Sequence, residues 1–358
     1  MPFAHHAHYR GAVTPVHSPL RLTLDGDALI ANWHWLAHKG GGAACGAAVK
    51  ADGYGLGARE AVKRLQAAGC RDFFVATWAE ADALMPWPGD LELSVLHGVG
   101  PGDMAAALKS PARPVLNTPE QIARWRETGR PCDVMVDTGM NRLGVAPADV
   151  AGGLLDGLRI ETLMSHLACA DEDSPANEAQ REAFAAVAGK AKAKRLSLAN
   201  SAGICLGQDF AFDLTRPGLA LYGGVPRREA EGHIRQVARV EAQILQRRRV
   251  EAGERVGYGG TFTAERAHEL AILHIGYADG YLRGFSNSGR ARIGDSFAPV
   301  VGRVSMDLTA IRVDDTPDLG EGDWVELDYG LPEAAAQSGL SQYELLTTLG
   351  SRFERIWT

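Results

Sequence analysis

The chain has little that would hold it in a bilayer or on a polyanion. No run of about 18 apolar residues occurs in its length, so no helix is expected to span a membrane. Basic residues are outnumbered, 37 Lys and Arg against 44 Asp and Glu, and the net charge of −7 offers no electrostatic footprint for nucleic acid. The densest basic run, Arg247-Arg248-Arg249, stands near Glu241, Glu251 and Glu254 and reads as a solvated face. Cysteine is scarce: Cys45, Cys70, Cys132, Cys169 and Cys205 form no CxxC pair and show no metal-ligand spacing. That excludes a disulfide framework or zinc ribbon and fits reduced, buried thiols in a cytoplasmic protein. The opening residues, MPFAHHAHYRGAV, lack a charged start followed by an apolar stretch, so no signal peptide is expected. His5, His6 and His8 read as a frayed tail and no metal site is expected. No GxGxxG turn follows an early strand, which counts against a doubly wound dinucleotide fold.

What is present describes a globular protein, 46% hydrophobic and 23% charged, and 358 residues suffice for two domains. Apolar runs without clean alternation recur at 43–49, 72–76, 91–96, 113–116, 133–137, 159–165, 195–199 and 214–222, as expected of parallel strands buried on both faces. Amphipathic stretches lie between them. Residues 58–68 put Ala61, Val62, Leu65 and Ala68 on one face; Thr118-Pro119-Glu120-Gln121 opens a capped helix; residues 178–194 read as a third, alanine-rich helix. This alternation predicts a (β/α)8 barrel. Near residue 235 the pattern changes to strand-like runs at 239–245, 270–275, 298–303 and 324–327, separated by Gly and Asp turns. Helical signals return only at Ser341-Gln342-Tyr343-Glu344, a capping box. The fold class read from this is α/β: a barrel over 27–235 followed by a mostly β C-terminal domain over 236–358. The segment 1–26 carries a possible strand at 20–24 that joins the β domain.

The sharpest chemical signal is Ala47-Ala48-Val49-Lys50-Ala51-Asp52-Gly53-Tyr54-Gly55, an apolar strand ending in a lysine and a Gly-rich turn. Barrel active sites lie at the C-terminal ends of the strands, where desolvation can lower a lysine's pKa enough for imine chemistry. Taken alone, Lys50 reads rather as a surface residue in a loop.

The motif resembles the lysine segment of the alanine racemase family, and the likeness continues along the chain. Asp137-Thr138-Gly139-Met140-Asn141-Arg142-Leu143-Gly144, Ser165-His166-Leu167-Ala168, Asn200-Ser201 and Arg216-Pro217-Gly218-Leu219 follow in the family's order at successive strand ends. Gly257-Tyr258-Gly259 and Val304-Ser305-Met306-Asp307 match its second domain. The resemblance implies a pyridoxal 5′-phosphate (PLP) enzyme that racemises alanine by two bases, Lys50 on one face and Tyr258 on the other. A free tyrosine ionises near about pH 10, so a tyrosine base needs help from its neighbours. By resemblance, His166 and Arg216 provide a polar chain toward the pyridine nitrogen. Arginine keeps its proton, so that nitrogen is expected to stay unprotonated. Tyr54, Asn200, Ser201, Gly218, Leu219 and Tyr222 are the expected remaining cofactor contacts, with the phosphate near the loops after strands seven and eight. Arg142 and Met306 are expected at the substrate, supported by Asp307. The likeness also implies a homodimer in which Tyr258 and Met306 reach the partner's barrel, and a D-alanine product destined for peptidoglycan.

The chain departs from the family pattern at Leu56, at Met135 and at Ser351. Some members carry at position 135 a carbamylated lysine that orients the active-site arginine, so Arg142 must be positioned differently here. Many carry at position 351 a tyrosine beside the phosphate, so serine there opens the pocket and leaves serine, lysine or broader specificity open. A decarboxylase of the same architecture, a non-catalytic PLP carrier and a cofactor-free imine-forming aldolase are the alternative readings. The first lacks the Gly257-Tyr258-Gly259 turn, the second lacks a β domain, and the third would be colourless.

Overall fold

A computed structural model of the chain describes residues 17–87 and 89–358; the His5, His6 and His8 reading lies outside them. Eight parallel strands follow one another around a barrel: Ala44–Cys45 with Ala47–Ala48, then Asp72–Val75, Glu92–Val95, Arg113–Leu116, Pro131–Met135, Arg159–Met164, Ala193–Ser197 and Leu214–Thr215. The ring closes because the amides of Asp213 and Arg216 donate to the carbonyls of Leu196 and Ala199, while those of Ala44 and Ala48 donate to Asp213 and Pro217. Apolar side chains such as Phe73, Val75, Val95, Val115, Val134 and Leu163 are fully buried in this wall. Two carboxylates are buried in it as well. Asp133 accepts from Ser94 Oγ at 2.6 Å and the Thr162 amide at 2.9 Å, with Arg113 Nε at 3.6 Å; Asp72 takes both ends of the Arg195 guanidinium. Pairing is the condition on which a buried charge is tolerated.

Three expectations are corrected. The eighth strand stops at Thr215, because Pro217 has no amide to donate and Leu219–Tyr222 winds into a 3₁₀ turn. The alanine-rich helix runs Pro175–Ala188, capped by Ser174 and ended at Gly189, and Ala193 already belongs to the next strand. A helix at Leu331–Ser338 precedes the one opened by Ser341.

The strand Leu20–Leu24 alternates fully buried Leu20, Leu22 and Leu24 with half-buried partners, the period of a sheet with one face in the core. It lies antiparallel to Ala238–Val250 and parallel to Glu354–Trp357, so the start and end of the described chain share a sheet. Ala238–Val250 also pairs with Trp324–Leu327 along its first half and, past an irregularity between Ile244 and Gln246, with His268–Leu273. Among the described residues no helix is long and apolar enough to cross a membrane. All five cysteines are free, and burial pushes the thiols of Cys45, Cys70, Cys132 and Cys205 up, away from thiolate chemistry.

Candidate active site

The C-terminal strand ends open on a cavity of about 590 Å³ whose wall includes Lys50, Tyr54, Arg142, His166, Asn200, Ser201, Arg216, Gly218 and Leu219. Chain segments more than 160 residues apart in sequence are thus brought together by the barrel alone. That volume lies within the roughly 300–1,000 Å³ of small-molecule sites.

Lys50 leads into an unusual turn. Ala51, Asp52, Gly53, Tyr54 and Gly55 all have positive φ, between 52° and 85°, a short left-handed coil in which the non-glycine residues are strained by about 1–2 kcal/mol each. Neighbours hold it in place. The Ala51 amide donates to Glu80 Oε1 at 2.9 Å, Asp52 Oδ1 accepts from the Ala58 amide at 2.8 Å, and Arg355 donates from Nη2 and Nε to the Gly55 carbonyl at 2.8 and 3.0 Å. The coil turns Tyr54 back beneath the barrel mouth, where its ring stacks on Tyr222 with centroids 4.8 Å apart. Burial lowers the pKa of Lys50, and the nearby Arg142 charge lowers it further against the pull of Glu80, so its neutral amine is reached at lower pH than in a free lysine.

The same cavity wall carries a hydrogen-bonding cradle at Ser201, Gly218 and Leu219. Ser201 Oγ accepts from the amides of Gly218 at 3.0 Å and Ala220 at 3.2 Å. With both lone pairs engaged, its remaining capacity is to donate. Gly218 is required there: a β-carbon on it would stand 2.1 Å from Tyr54 Oη. Burial also raises the pKa of Tyr54, which keeps its hydroxyl protonated and able to donate. Asn200 lines the cavity, but its Oδ1 is engaged in capping the next helix through the Gly203 amide at 2.8 Å. A lysine amine and a hydroxyl-and-amide cradle lining one cavity fit an aldehyde that bears a phosphate.

Arg216 is buried in the wall, donating from Nη2 to the Ser165 carbonyl at 2.5 Å and from Nη1 to Ser197 Oγ. Burial pushes its pKa down to about 10, still far enough above neutrality to leave it charged. Burial, then Arg216, Arg142 and Lys50, push His166 down to about 3, so this imidazole is neutral. Arg142 rides on a loop gathered around one carboxylate: Asp137 Oδ1 accepts from the amides of Gly139, Met140 and Asn141 and Oδ2 from that of Arg142, at 2.9 to 3.1 Å. Met135, which cannot be carbamylated, contributes only an apolar surface to the cavity.

Several expected residues stand elsewhere. Tyr222 is fully buried a layer behind Tyr54, and its hydroxyl is engaged by the Ala48 carbonyl at 3.1 Å, so its side chain supports the cradle from outside the cavity. Ser351 is exposed and outside the cavity wall; the tail contributes Tyr343 instead, 6.4 Å from Tyr54 between ring centroids. Sequence reasoning missed Tyr343, because a capping box at Ser341 locates a helix start without saying what the helix faces. Tyr258 and Met306 are absent from this cavity. They are 68% and 53% exposed on the β domain, and Tyr258 borders a separate groove of about 710 Å³ with Arg248, Arg255 and Arg303. Asp307 is held by Arg352 Nη1 at 2.8 Å, and Arg352 also clamps the buried Asp279 through two bonds.

A barrel with a desolvated lysine at the end of its first strand and an anion cradle at its seventh and eighth belongs to the class of barrel enzymes that work through a lysine amine and a phosphorylated ligand. The chain belongs to the alanine racemase family: residues 24–226 match the model of the alanine racemase N-terminal domain and 237–357 that of the C-terminal domain. It is 44% identical to an alanine racemase of Acidiphilium cryptum, over 94% of this chain and 98% of that protein. It is 42% identical to a biosynthetic alanine racemase of Agrobacterium fabrum, over 94% and 93%. The solved structure of the Bartonella henselae alanine racemase, with covalently bound pyridoxal phosphate, superposes with a TM-score of 0.89 at 35% identity, covering 96% of this chain and all of that one.

Proposed function

We propose that this chain is a PLP-dependent alanine racemase, interconverting L- and D-alanine in the cytoplasm and supplying the D-enantiomer for peptidoglycan. The observation that carries this is the juxtaposition of Lys50 with the Ser201–Gly218–Leu219 cradle across one cavity, in a chain of this family. Lys50 would hold the cofactor through its amine, Ser201, the Leu219 amide, Tyr54 and Tyr343 would hold its phosphate, and Arg216 would supply a charged donor on the ring side. Bound there, the cofactor supplies the electron sink that makes the substrate's Cα–H acidic. Arg142 orients the substrate carboxylate. The Lys50 amine, its pKa lowered by burial, removes or returns the α-proton on one face. The Tyr258 hydroxyl serves the other, and the neutral His166 with the charged Arg216 links it to the ring side of the site.

Tyr258 and Met306 act in the partner's site. Their exposure away from their own chain's cavity supports a homodimer whose β domain, 236–358, covers the barrel, 27–235, of the other copy, with the strand of segment 1–26 built into the β domain. Asp307 supports the Met306 loop through Arg352.

Purified holoenzyme incubated with L-alanine, L-serine or L-lysine is expected to yield D-alanine fastest, measured by chiral chromatography. Lys50→Ala is expected to abolish both the activity and the visible absorbance of bound PLP. Carbon dioxide in place of a D-amino acid would refute the proposal. Tyr258→Phe is expected to leave PLP bound and to slow α-hydrogen exchange from one enantiomer far more than from the other; equal small losses would refute the two-base arrangement.

A further inference from the structure

The helix Pro175–Ala188 packs on the barrel through Asn177, Gln180, Phe184 and Val187. Phe184 and Val187 are the ordinary apolar surface of such a helix, but Gln180, only 4% exposed, brings a full amide into the interface. A buried amide is unfavourable unless its bonds are made. Gln180 makes two of its bonds to the backbone of His166 and Ala168, which line the cavity, and the third to Thr138 behind it. Its Oε1 accepts from the Ala168 amide at 2.8 Å, and its Nε2 donates to the His166 carbonyl at 3.1 Å and to Thr138 Oγ1 at 3.4 Å. Thr138 in turn shares a 2.7 Å hydrogen bond with Ser165 Oγ, and the Ser165 carbonyl takes the Arg216 guanidinium. Gly139 lies against the same glutamine, leaving 3.5 Å between the Gln180 Cγ and the place of a β-carbon on it.

Thr138 and Gly139 begin the loop whose amides gather on Asp137 and which ends at Arg142. That loop is rigid within itself but needs an anchor to the barrel. We infer that Gln180 is a positioning residue for substrate binding, joining the Arg142 loop to the strand end that carries His166 so that both face the cavity in fixed relation. The inference rests on the racemase reading of the cavity. Its chain of contacts, Gln180 to Thr138 to Ser165, lies within one subunit and touches no reacting atom.

Gln180→Met preserves length and removes the hydrogen bonds. The expected result is holoenzyme with unchanged visible absorbance, a KM for both alanine enantiomers raised about tenfold and a kcat changed much less, since ground-state placement of the carboxylate is what loosens. The Kd for propionate, a carboxylate without the reacting amine, measured by calorimetry, is expected to rise by the same factor. Thr138→Val should reproduce part of this, and the double variant should be no worse than the worse single one, because both break one chain of contacts. Gln180→Glu, which keeps the acceptor for the Ala168 amide but not the donor, should recover only part of the loss. Additive effects, or a lowered melting temperature with KM and propionate affinity unchanged, would overturn the inference and leave the racemase reading standing. A wild-type holoenzyme that makes no D-alanine would remove that reading instead. If Gln180→Met does not fold, Thr138→Val alone decides, by the same shift in propionate affinity.

Discussion

At the scale of single residues, the site is a contest between burial and charge. The base role proposed for Lys50 draws on desolvation and Arg142, which both disfavour its protonated form, while Glu80 opposes them too weakly to restore it. The sign of the effect is fixed by these causes: the neutral amine is present at lower pH than for a lysine at its ordinary 10.5. Stopped-flow capture of added PLP by the apoprotein should therefore show a pH midpoint below that of a free lysine, and Arg142→Met should move it upward. An unmoved midpoint would mean that burial alone sets the amine. Gly218 makes a different kind of contribution. A side chain there collides with Tyr54 Oη, so Gly218→Ala is expected to displace the Tyr54 ring and weaken PLP binding by about tenfold or more, read by titrating the apoprotein with cofactor and following absorbance. The fold itself should survive, since the barrel strand ends at Thr215.

At the scale of elements, the parts legible in the sequence were those whose signal is local. Apolar runs such as 72–76 and 91–96 are strands because both faces are buried, and the motif residues fall at strand ends because the barrel puts them there. Thr118 caps its helix as read, accepting from the Gln121 amide, and Ser341 opens its own with a full capping box. What the pattern concealed was tertiary. Residues 218–222 are nearly as apolar as a strand, yet the amides of Gly218 and Ala220 turn toward Ser201. The Lys50–Tyr54 segment reads as a Gly-rich turn, but its left-handed coil exists only because Glu80, Ala58 and Arg355 brace it from three other elements. The Asp137 loop lies between these cases, its acid visible and its four amide bonds not. Burial opposes ionisation of that carboxyl, but the amides of Gly139, Asn141, Arg142 and Met140 outweigh burial and hold its pKa below the ordinary 3.8. The loop therefore contributes stability that is complete above that value and is lost as pH falls through the lowered one. Asp137→Asn should remove this acid-dependent part of the melting temperature and raise KM through Arg142, as seen in melts across the acid range beside steady-state kinetics. A melting curve whose acid dependence matches wild type would show that the carboxylate is not what orders the loop.

At the scale of the whole molecule, the two proposed bases lie on different parts of one chain, and the structure leaves Tyr258 outside the cavity that holds Lys50. The loop beside it is stiff: the amides of Tyr277 and Ala278 donate to the Ser305 and Met306 carbonyls, and Arg352 ties Asp307 to Asp279. Exposed Tyr258 and Met306 beside a hydrogen-bonded loop are what the proposed dimer calls for, since a two-fold pairing gives each copy the same surface to offer and to receive. Mixing two inactive variants separates this arrangement from every intrachain one. In a hybrid of Lys50→Ala and Tyr258→Phe chains, one site collects both defects and the other collects neither, because the intact lysine meets the intact tyrosine across the interface. Random exchange makes half of the dimers hybrids with one working site in two, so recovery to about a quarter of wild-type activity is expected. If both bases came from the same chain, every site in every dimer would carry one defect and mixing would restore nothing. Unfolding and refolding the two variants together, with each refolded alone as the control, decides between the arrangements by activity alone.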